Sequence, residues 1–160
     1  MCTSGRKTGE SGRMYFGYYE HSLDDKGRLM IPSKLREGLI SGSPLYVIRG
    51  FEGCLSIYNE STFSKLYEEI SKLSYNDKTA RNYIRNVLGS VVILNVDKLG
   101  RIQIPNAVLS RYNIAKNVAV IGVGDHFEIW DLEIYQNYQK DNDESFEESA
   151  QKMVNNHGGN

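Results

Sequence analysis

The strongest constraint on the fold is an internal repeat with an offset of 73 residues, from Asp24 to Asp97. Residues 24–32 (DDKGRLMIP) recur as residues 97–105 (DKLGRIQIP), and both copies read Asp-x-x-Gly-Arg followed by apolar-x-Ile-Pro. The likeness continues downstream: YVI at 46–48 aligns with AVI at 119–121, and LSIY at 55–58 aligns with FEIW at 127–130 after a one-residue deletion. Because the order and spacing of several segments agree, the sequence predicts two copies of one structural unit.

Each copy carries the signals of two β-hairpins separated by a short helix. Asp-x-x-Gly between strands is hairpin-turn chemistry, because Asp accepts hydrogen bonds from turn amides and Gly tolerates positive φ. After the turn, alternate residues are apolar, and a proline then ends the strand and fits the first turn of a helix, which predicts short helices at 33–38 and 106–112. The apolar strand positions are Leu29, Ile31, Ile102 and Ile104, the prolines are Pro32 and Pro105, and glycines near the second bend are Gly50, Gly53, Gly122 and Gly124.

Longer helices are predicted after each unit. Apolar residues follow helical spacing from Thr62, with Ser61 as the expected N-cap, and again from Asp77. Asp131 is expected to cap a C-terminal helix. The predicted order is therefore ββαββ, two helices, ββαββ and one helix. A unit of about 45 residues is too small to bury a stable core alone, so the two copies are expected to pack together.

Five segments follow from these patterns. Residues 1–13 are polar and Gly-rich and are expected to be a disordered leader or a tag, with Met14 as a plausible natural start. Residues 14–60 form the first unit, residues 61–89 a helical connector and residues 90–131 the second unit. Residues 132–160 are expected to form a C-terminal helix and a polar tail.

Composition restricts the function. The net charge is −1, and residues 14–140 carry 15 Lys and Arg against 14 Asp and Glu, while 141–149 hold five acids. A nucleic-acid binder of this composition must concentrate its positive charge by geometry. No apolar run approaches the roughly 20 residues of a membrane helix, and two cysteines, Cys2 and Cys54, make no disulfide framework. The expected location is the cytoplasm, with no membrane partner.

The duplicated Asp-x-x-Gly-Arg-x-x-Ile-Pro signature resembles that of the MraZ family. These bacterial transcription factors carry two SpoVT-AbrB-type units in one chain, and residues 122–131 (GVGDHFEIWD) resemble the family's C-terminal strand-to-helix segment. The resemblance covers about residues 14–138. It implies an α+β fold in which two β-rich AbrB-like half-units, ββαββ each, pack as a pseudo-dimeric β-barrel with flanking α-helices.

The resemblance also implies a function. The family binds repeated elements in double-stranded DNA upstream of the division and cell-wall gene cluster, and its chains assemble into a homo-oligomeric, octamer-like ring associated with the nucleoid. Avidity from such a ring would offset weak binding by each subunit. In this chain the signature arginines implicated in DNA contact are Arg28 and Arg101.

The side-chain chemistry around each turn agrees with this expectation. Arginine reads guanine edges through its planar fork, and a glycine turn lets the backbone approach DNA closely. Lys26, Lys34 and Arg36 are expected to join Arg28 in one basic cluster, and Lys98 to join Arg101 in a smaller one, so the first copy is predicted to bind DNA more strongly. The residues expected to brace the turns are Asp24, Gly27, Asp97 and Gly100.

Other functions have weaker support in the sequence. A charged turn seen once is ordinarily only a solvated loop, and the duplication argues against that interpretation. His21 and His126 lack metal-ligand spacing, there is no Gly-x-Ser-x-Gly and no phosphate-binding loop with lysine, so no enzyme, cofactor or small-molecule substrate is expected. The competing hypothesis is a protein-interaction module, an antitoxin-like scaffold without sequence-specific DNA binding.

Overall fold

The structure is a computed structural model that describes residues 14–142 and 145–157. The predicted leader, residues 1–13, lies outside the described residues. The strands are β1 (Tyr15–Ser22), β2 (Arg28–Met30), β3 (Pro44–Arg49), β4 (Leu55–Asn59), β5 (Val92–Asn95), β6 (Arg101–Gln103), β7 (Asn117–Gly124) and β8 (Phe127–Asp131). The helices are α1 (Glu60–Ser71), α2 (Lys78–Leu88), α3 (Asn106–Arg111), α4 (Leu132–Asp141) and α5 (Phe146–His157), with a 3-10 turn at Phe51–Gly53.

Six strands form one antiparallel sheet in the order β1-β7-β8-β4-β3-β5, and β2 pairs with β6 in a separate two-stranded ribbon. The order is symmetric: if each strand is replaced by its counterpart in the other copy (β1 by β5, β3 by β7, β4 by β8), the same order results, read from the opposite edge. In this arrangement β1 pairs with β7, which belongs to the other copy, over eight residue pairs. The predicted α+β class is confirmed, and the two copies form a single sheet.

The six-stranded sheet is not closed, so the predicted pseudo-dimeric β-barrel is not confirmed. Within the described residues, its edge strands β1 and β5 each pair on one side only. The strands beside these edges, β2 and β6, are three residues long and form their ladder hydrogen bonds with each other. Because β2 and β6 are paired with each other, they do not join β1 to β5 and close the sheet.

The main core lies between the sheet and the ribbon. Leu29 of β2 stands opposite Ile102 of β6, and both side chains are buried. Apolar residues alternate along both strands, as the sequence predicted, and these two side chains lie on the inner side of the ribbon. Full burial of each contributes about 1.5–3 kcal/mol to stability. The sheet residues that complete this core include Leu45, Val47, Leu55, Ile57, Val118, Val120, Phe127 and Ile129.

Helix ends show where local sequence chemistry was interpreted correctly and where it was not. Asp131 caps α4 by accepting a hydrogen bond from the Ile134 amide, as predicted. The cap of α1 is Asn59 rather than Ser61, because Asn59 and Thr62 form a reciprocal capping box. The predicted helix at 33–38 is wrong: the segment makes a turn after Pro32 and reaches φ of 84° at Gly38, which is incompatible with a right-handed helix.

Two further observations complete the description. Cys54 is a buried free thiol, and burial raises its pKa, so the side chain packs as a small apolar residue. In the part of the chain described, no helix has the length and apolar character needed to cross a membrane.

Candidate nucleic-acid interface

The two repeated motifs fold into matching hairpin turns. In the first, the Gly27 amide donates to the Asp24 carbonyl (3.0 Å) and the Asp24 amide donates to the Arg28 carbonyl (3.0 Å). In the second, Gly100 donates to Asp97 (3.1 Å) and Asp97 donates to Arg101 (2.8 Å). This is the pattern of a three-residue hairpin loop whose final residue is a left-handed glycine. We call residues 24–28 loop 1 and residues 97–101 loop 2.

Each loop is organised around its aspartate. Asp24 Oδ1 accepts hydrogen bonds from the amides of Lys26 (2.9 Å) and Arg28 (2.8 Å), and Oδ2 pairs with the Arg28 Nε at 2.6 Å. Asp97 repeats this arrangement, with amide bonds of 2.9 and 2.8 Å and an ion pair to the Arg101 Nε at 2.8 Å. The carboxylate therefore fixes both the turn and the direction of the arginine.

These contacts lower the pKa of the Asp24 and Asp97 carboxyls, first through the hydrogen bond from the backbone amide of the arginine. A carboxyl whose pKa is lowered on folding stabilises the protein above its unfolded pKa of about 3.9, and this contribution is lost as the pH falls through the folded pKa. We therefore expect an Asp24→Asn/Asp97→Asn variant to be less stable than the wild type at pH 7. The difference should shrink below about pH 4, as measured by urea denaturation across that range.

The control for this measurement is Asp25→Asn. Asp25 is an exposed acid of loop 1 whose side chain has no hydrogen-bond partner among the residues that the structure describes. Because no loop hydrogen bond is lost, Asp25→Asn should be about as stable as the wild type at pH 7. A double variant whose stability deficit stays constant from pH 7 to pH 3 would contradict the assignment.

The loop glycines are required by space as well as by φ. Gly27 and Gly100 have φ of 76° and 85°, a region that disfavours side chains. A Cβ at Gly27 would lie 2.8 Å from the Ile104 carbonyl oxygen, and one at Gly100 would overlap the Arg36 side chain. Each loop is thus pressed against the other copy.

The ribbon places the two arginines on one outward face. Arg28 stands opposite Gln103, and Met30 stands opposite Arg101, while Leu29 and Ile102 point inward. Arg28 and Arg101 are diagonal neighbours in the ladder, a separation of about 7–8 Å in an antiparallel pair. We call Arg28, Met30, Arg101 and Gln103 the ribbon face. Sequence reasoning missed Met30 and Gln103, although the same alternation that placed Leu29 inside places both outside.

Both arginines keep donors for a ligand. Each ion pair uses Nε, and within the described residues neither Nη atom of Arg28 or Arg101 has a hydrogen-bond partner. The side chains are 30% and 24% exposed. A guanidinium held by Nε and open at both Nη atoms is pre-oriented for paired acceptors such as those on guanine or phosphate.

Arg36 does not join Arg28, so the predicted grouping is wrong. The end of β2 lies beside loop 2, since the Ile31 amide donates to the Gly100 carbonyl. The chain after Pro32 therefore runs to loop 2, where Arg36 Nη1 donates to the Leu99 carbonyl at 3.4 Å and Arg36 is half-buried. Arg36 therefore adds its charge to loop 2. Stronger DNA binding by the first copy stays a prediction, and the position of Arg36 does not support it.

Gln103 has the corresponding role at loop 1. Its Nε2 donates to the Lys26 carbonyl at 3.1 Å, and Lys26 and Leu99 occupy equivalent positions in the repeat. Each loop thus has the same carbonyl held by a side chain of the neighbouring segment, a glutamine in one case and an arginine in the other. Lys26, Lys34 and Lys98 are exposed at or beside the loops and form no ion pair with the described residues.

The comparisons with known proteins agree with the duplication. The model of the MraZ protein family, described there as antitoxin-like, matches residues 14–86 and again residues 88–157. These matches span most of the chain. The chain belongs to the MraZ family.

Relatives of this MraZ-family chain extend over nearly its whole described length. The transcriptional regulator MraZ of Mesoplasma florum is 44% identical over 140 residues, which cover 88% of this chain and 95% of that protein. The transcriptional regulator MraZ of Caldanaerobacter subterraneus subsp. tengcongensis is 39% identical over 142 residues, covering 89% and 98%. That of Mycoplasmoides gallisepticum is 37% identical over 144 residues, covering 90% and 100%.

Proposed function

We propose that this chain is a transcriptional regulator that binds double-stranded DNA in a sequence-specific manner through the ribbon face. The relatives are named transcriptional regulators, and a two-stranded β-ribbon fits the major groove of B-DNA. The observation that carries the proposal is the diagonal pair of arginines on this ribbon, each fixed by an aspartate with both Nη atoms open.

Within the ribbon face, the side chains divide by chemistry. Arg28 and Arg101 suit guanine O6 and N7, the Gln103 amide suits adenine N6 and N7, and Met30 suits the thymine methyl group. The lysines at 26, 34 and 98 suit phosphate contacts, which position the protein without reading sequence. Asp24, Gly27, Asp97 and Gly100 hold the loops, and Arg36 braces loop 2 from within the fold.

The targets that we propose are repeated promoter elements of the division and cell-wall gene cluster, bound at the nucleoid in the cytoplasm by a homo-oligomeric ring. One ribbon supplies few contacts, and the chain has a net charge of −1. Several ribbons presented together gain avidity if the DNA carries elements at matching spacing. We further propose that the two halves act as the two half-units of a pseudo-dimer, with the ribbon at their junction.

Fluorescence anisotropy of the wild-type protein tests this function. Probes from the DNA upstream of its own gene are compared with scrambled probes of equal length across a salt series. We expect tighter binding to the native probe than to the scrambled one. The logarithm of the association constant should fall linearly with the logarithm of the salt concentration, with a slope of about −0.9 for each phosphate neutralised. A native probe carrying one element instead of several should bind much more weakly.

A protein-interaction module is the second candidate, because the matching family model is described as antitoxin-like. It predicts a different result in the same experiment. Weak binding that does not distinguish native from scrambled DNA would exclude the sequence-specific regulator and favour this candidate.

A further inference from the structure

The outer face of the sheet is covered differently in the two copies. On the first copy, α1 and α2 both pack on it, and their apolar residues join those of β3 and β4 in one cluster. The buried members are Ile48, Tyr58, Ile70 and Val87, with Tyr46, Phe63, Leu66, Ile84, Leu88 and Val91 packed around them. The helix α2 therefore covers part of this face, to which it contributes Ile84, Val87 and Leu88.

On the second copy, α4 is the one helix within the described part of the chain that packs on the equivalent face. It packs Leu132 and Tyr135 against Ala119, Ile121 and Trp130. On α4 and beside it an apolar surface is left exposed: Phe16 is 67% accessible, Val123 44% and Tyr138 of α4 is also exposed. Tyr18 is 47% accessible, although one side of its ring contacts Tyr135 of α4. We call Phe16, Tyr18, Val123 and Tyr138 the vacant surface. By the repeat offset, Tyr18 of β1 corresponds to Val91, which precedes β5 and packs against the cluster that α1 and α2 form.

The missing layer has a counterpart in the chain. Helix α5 follows α4 as α2 follows α1, and the family model matches once through residue 86 and again through residue 157. On α2, Ile84, Val87 and Leu88 belong to this cluster, and the half-buried Ala80 precedes Ile84 by four residues. The same spacing of 0, 4, 7 and 8 recurs in α5 as Phe146, Ala150, Met153 and Val154. An apolar stripe of this spacing forms one face of a helix.

None of the residues that the structure describes covers the stripe on α5. Phe146 is 83% accessible and Val154 62%, and Met153 is also exposed. The connection from α1 to α2 has six residues (72–77), whereas that from α4 to α5 has four (142–145). A short connection between packed segments disfavours folding back and favours exchange of a segment between copies.

We propose that α5 of one copy docks its Phe146–Val154 stripe on the vacant surface of a second copy, as α2 docks within the first half. A contact between a helix of one copy and a different surface of the next is heterologous, so repetition generates a ring or an open chain. The inference deepens the self-assembly part of the proposed function and is independent of its DNA-binding part.

Disulfide trapping tests this docking. Tyr18 corresponds to Val91 by the repeat offset, and Met153 corresponds to Val87 by its place in the helical stripe. Val87 and Val91 belong to one apolar cluster, so Tyr18 and Met153 are expected to lie close together in the docked arrangement. Full-length Tyr18→Cys and Met153→Cys variants, both with Cys2→Ser, are co-expressed, one of them carrying a size tag, and then mildly oxidised. We expect a disulfide between the tagged and untagged chains on a non-reducing gel. Cys54 is buried and does not interfere.

A matched pair of substitutions on α5 tests the face that docks. Ala150→Glu places a charge in the stripe, and Gln151→Glu places the same charge beside it. Since an unpaired charge is costly to bury, Ala150→Glu should lower the yield of cross-linked chains by roughly tenfold or more, whereas Gln151→Glu should not. Circular dichroism confirms that both variants keep their helices.

The outcomes are distinct. A further variant carries Tyr18→Cys and Met153→Cys in one chain. A disulfide within this chain, with none between the co-expressed single variants, would overturn the proposal in favour of docking on the same copy. No disulfide in either experiment would overturn the proposal entirely. Light scattering on the wild-type chain separates the two proposals: a monomer refutes self-assembly itself, whereas an oligomer without the cross-link refutes only the role of α5.

Discussion

An Arg28→Ala/Arg101→Ala variant is expected to bind native DNA roughly 30-fold more weakly or worse, with its preference over scrambled DNA largely lost. Each bidentate arginine contributes about 1–3 kcal/mol of discrimination, and about 1.4 kcal/mol corresponds to a factor of ten. The substitutions also remove the ion pairs to Asp24 and Asp97. The backbone amides of each loop still donate to these aspartates, so the turns are expected to persist. Anisotropy at one fixed salt concentration measures the effect.

The matched control removes the same charge elsewhere. Arg81 and Arg85 lie on α2, where both guanidinium groups contact Tyr75. Arg81→Ala/Arg85→Ala should weaken binding to native and scrambled DNA equally and only slightly. Arg28→Lys keeps the charge but loses the fork, and it should reduce discrimination more than affinity. Equal losses from the two double alanine variants would mean that net charge, and not the ribbon face, drives binding.

Gly122→Ala is expected to destabilise the fold by about 1–3 kcal/mol or more, the range of overpacking in a close-packed site. Gly122 lies in β7 directly opposite Gly17 of β1. A Cβ at this position would overlap backbone atoms of Tyr15 and Phe16, which cannot rotate away as a side chain would. The substitution must push β1 from the sheet or distort β7. Chemical denaturation followed by circular dichroism gives the change in unfolding free energy.

Val123→Ala is the control for this prediction, because it changes the neighbouring residue of the same strand at a position 44% exposed. Its effect should stay below about 1 kcal/mol. A Gly122→Ala protein as stable as the wild type would show that β1 does not lie as close to β7 as the structure places it.

Local features of the fold were predictable because their causes are local. Asp and Gly at fixed positions specify a hairpin turn, alternation specifies which side of β2 is buried, and Asp131 caps the helix that follows it. The cap of α1 was missed because Asn59 and Ser61 are both good capping residues. The side chain of Thr62, which completes the box with Asn59, decided between them.

Arrangements between the copies were not predictable from the sequence. Alternation shows which face of a strand is apolar but not which strand becomes its neighbour, so the pairing of β1 with β7 was not foreseen. The position of Arg36 depends on that same arrangement, because β2 delivers the following turn to loop 2 rather than to loop 1. The open edge of the sheet likewise depends on β2 pairing with β6, a tertiary choice.

The pairing of β1 with β7 also sets the order of events during synthesis. Tyr15 pairs with Gly124, so β1 leaves the ribosome more than 100 residues before its partner strand is complete. At about 5–20 residues per second, that delay is on the order of 5–20 s. Throughout it, β1 exposes Tyr15, which the complete fold buries, and a backbone that has not yet paired with β7. We therefore expect nascent chains of this protein to bind chaperones that recognise apolar segments, and translation pauses before β7 to raise aggregation.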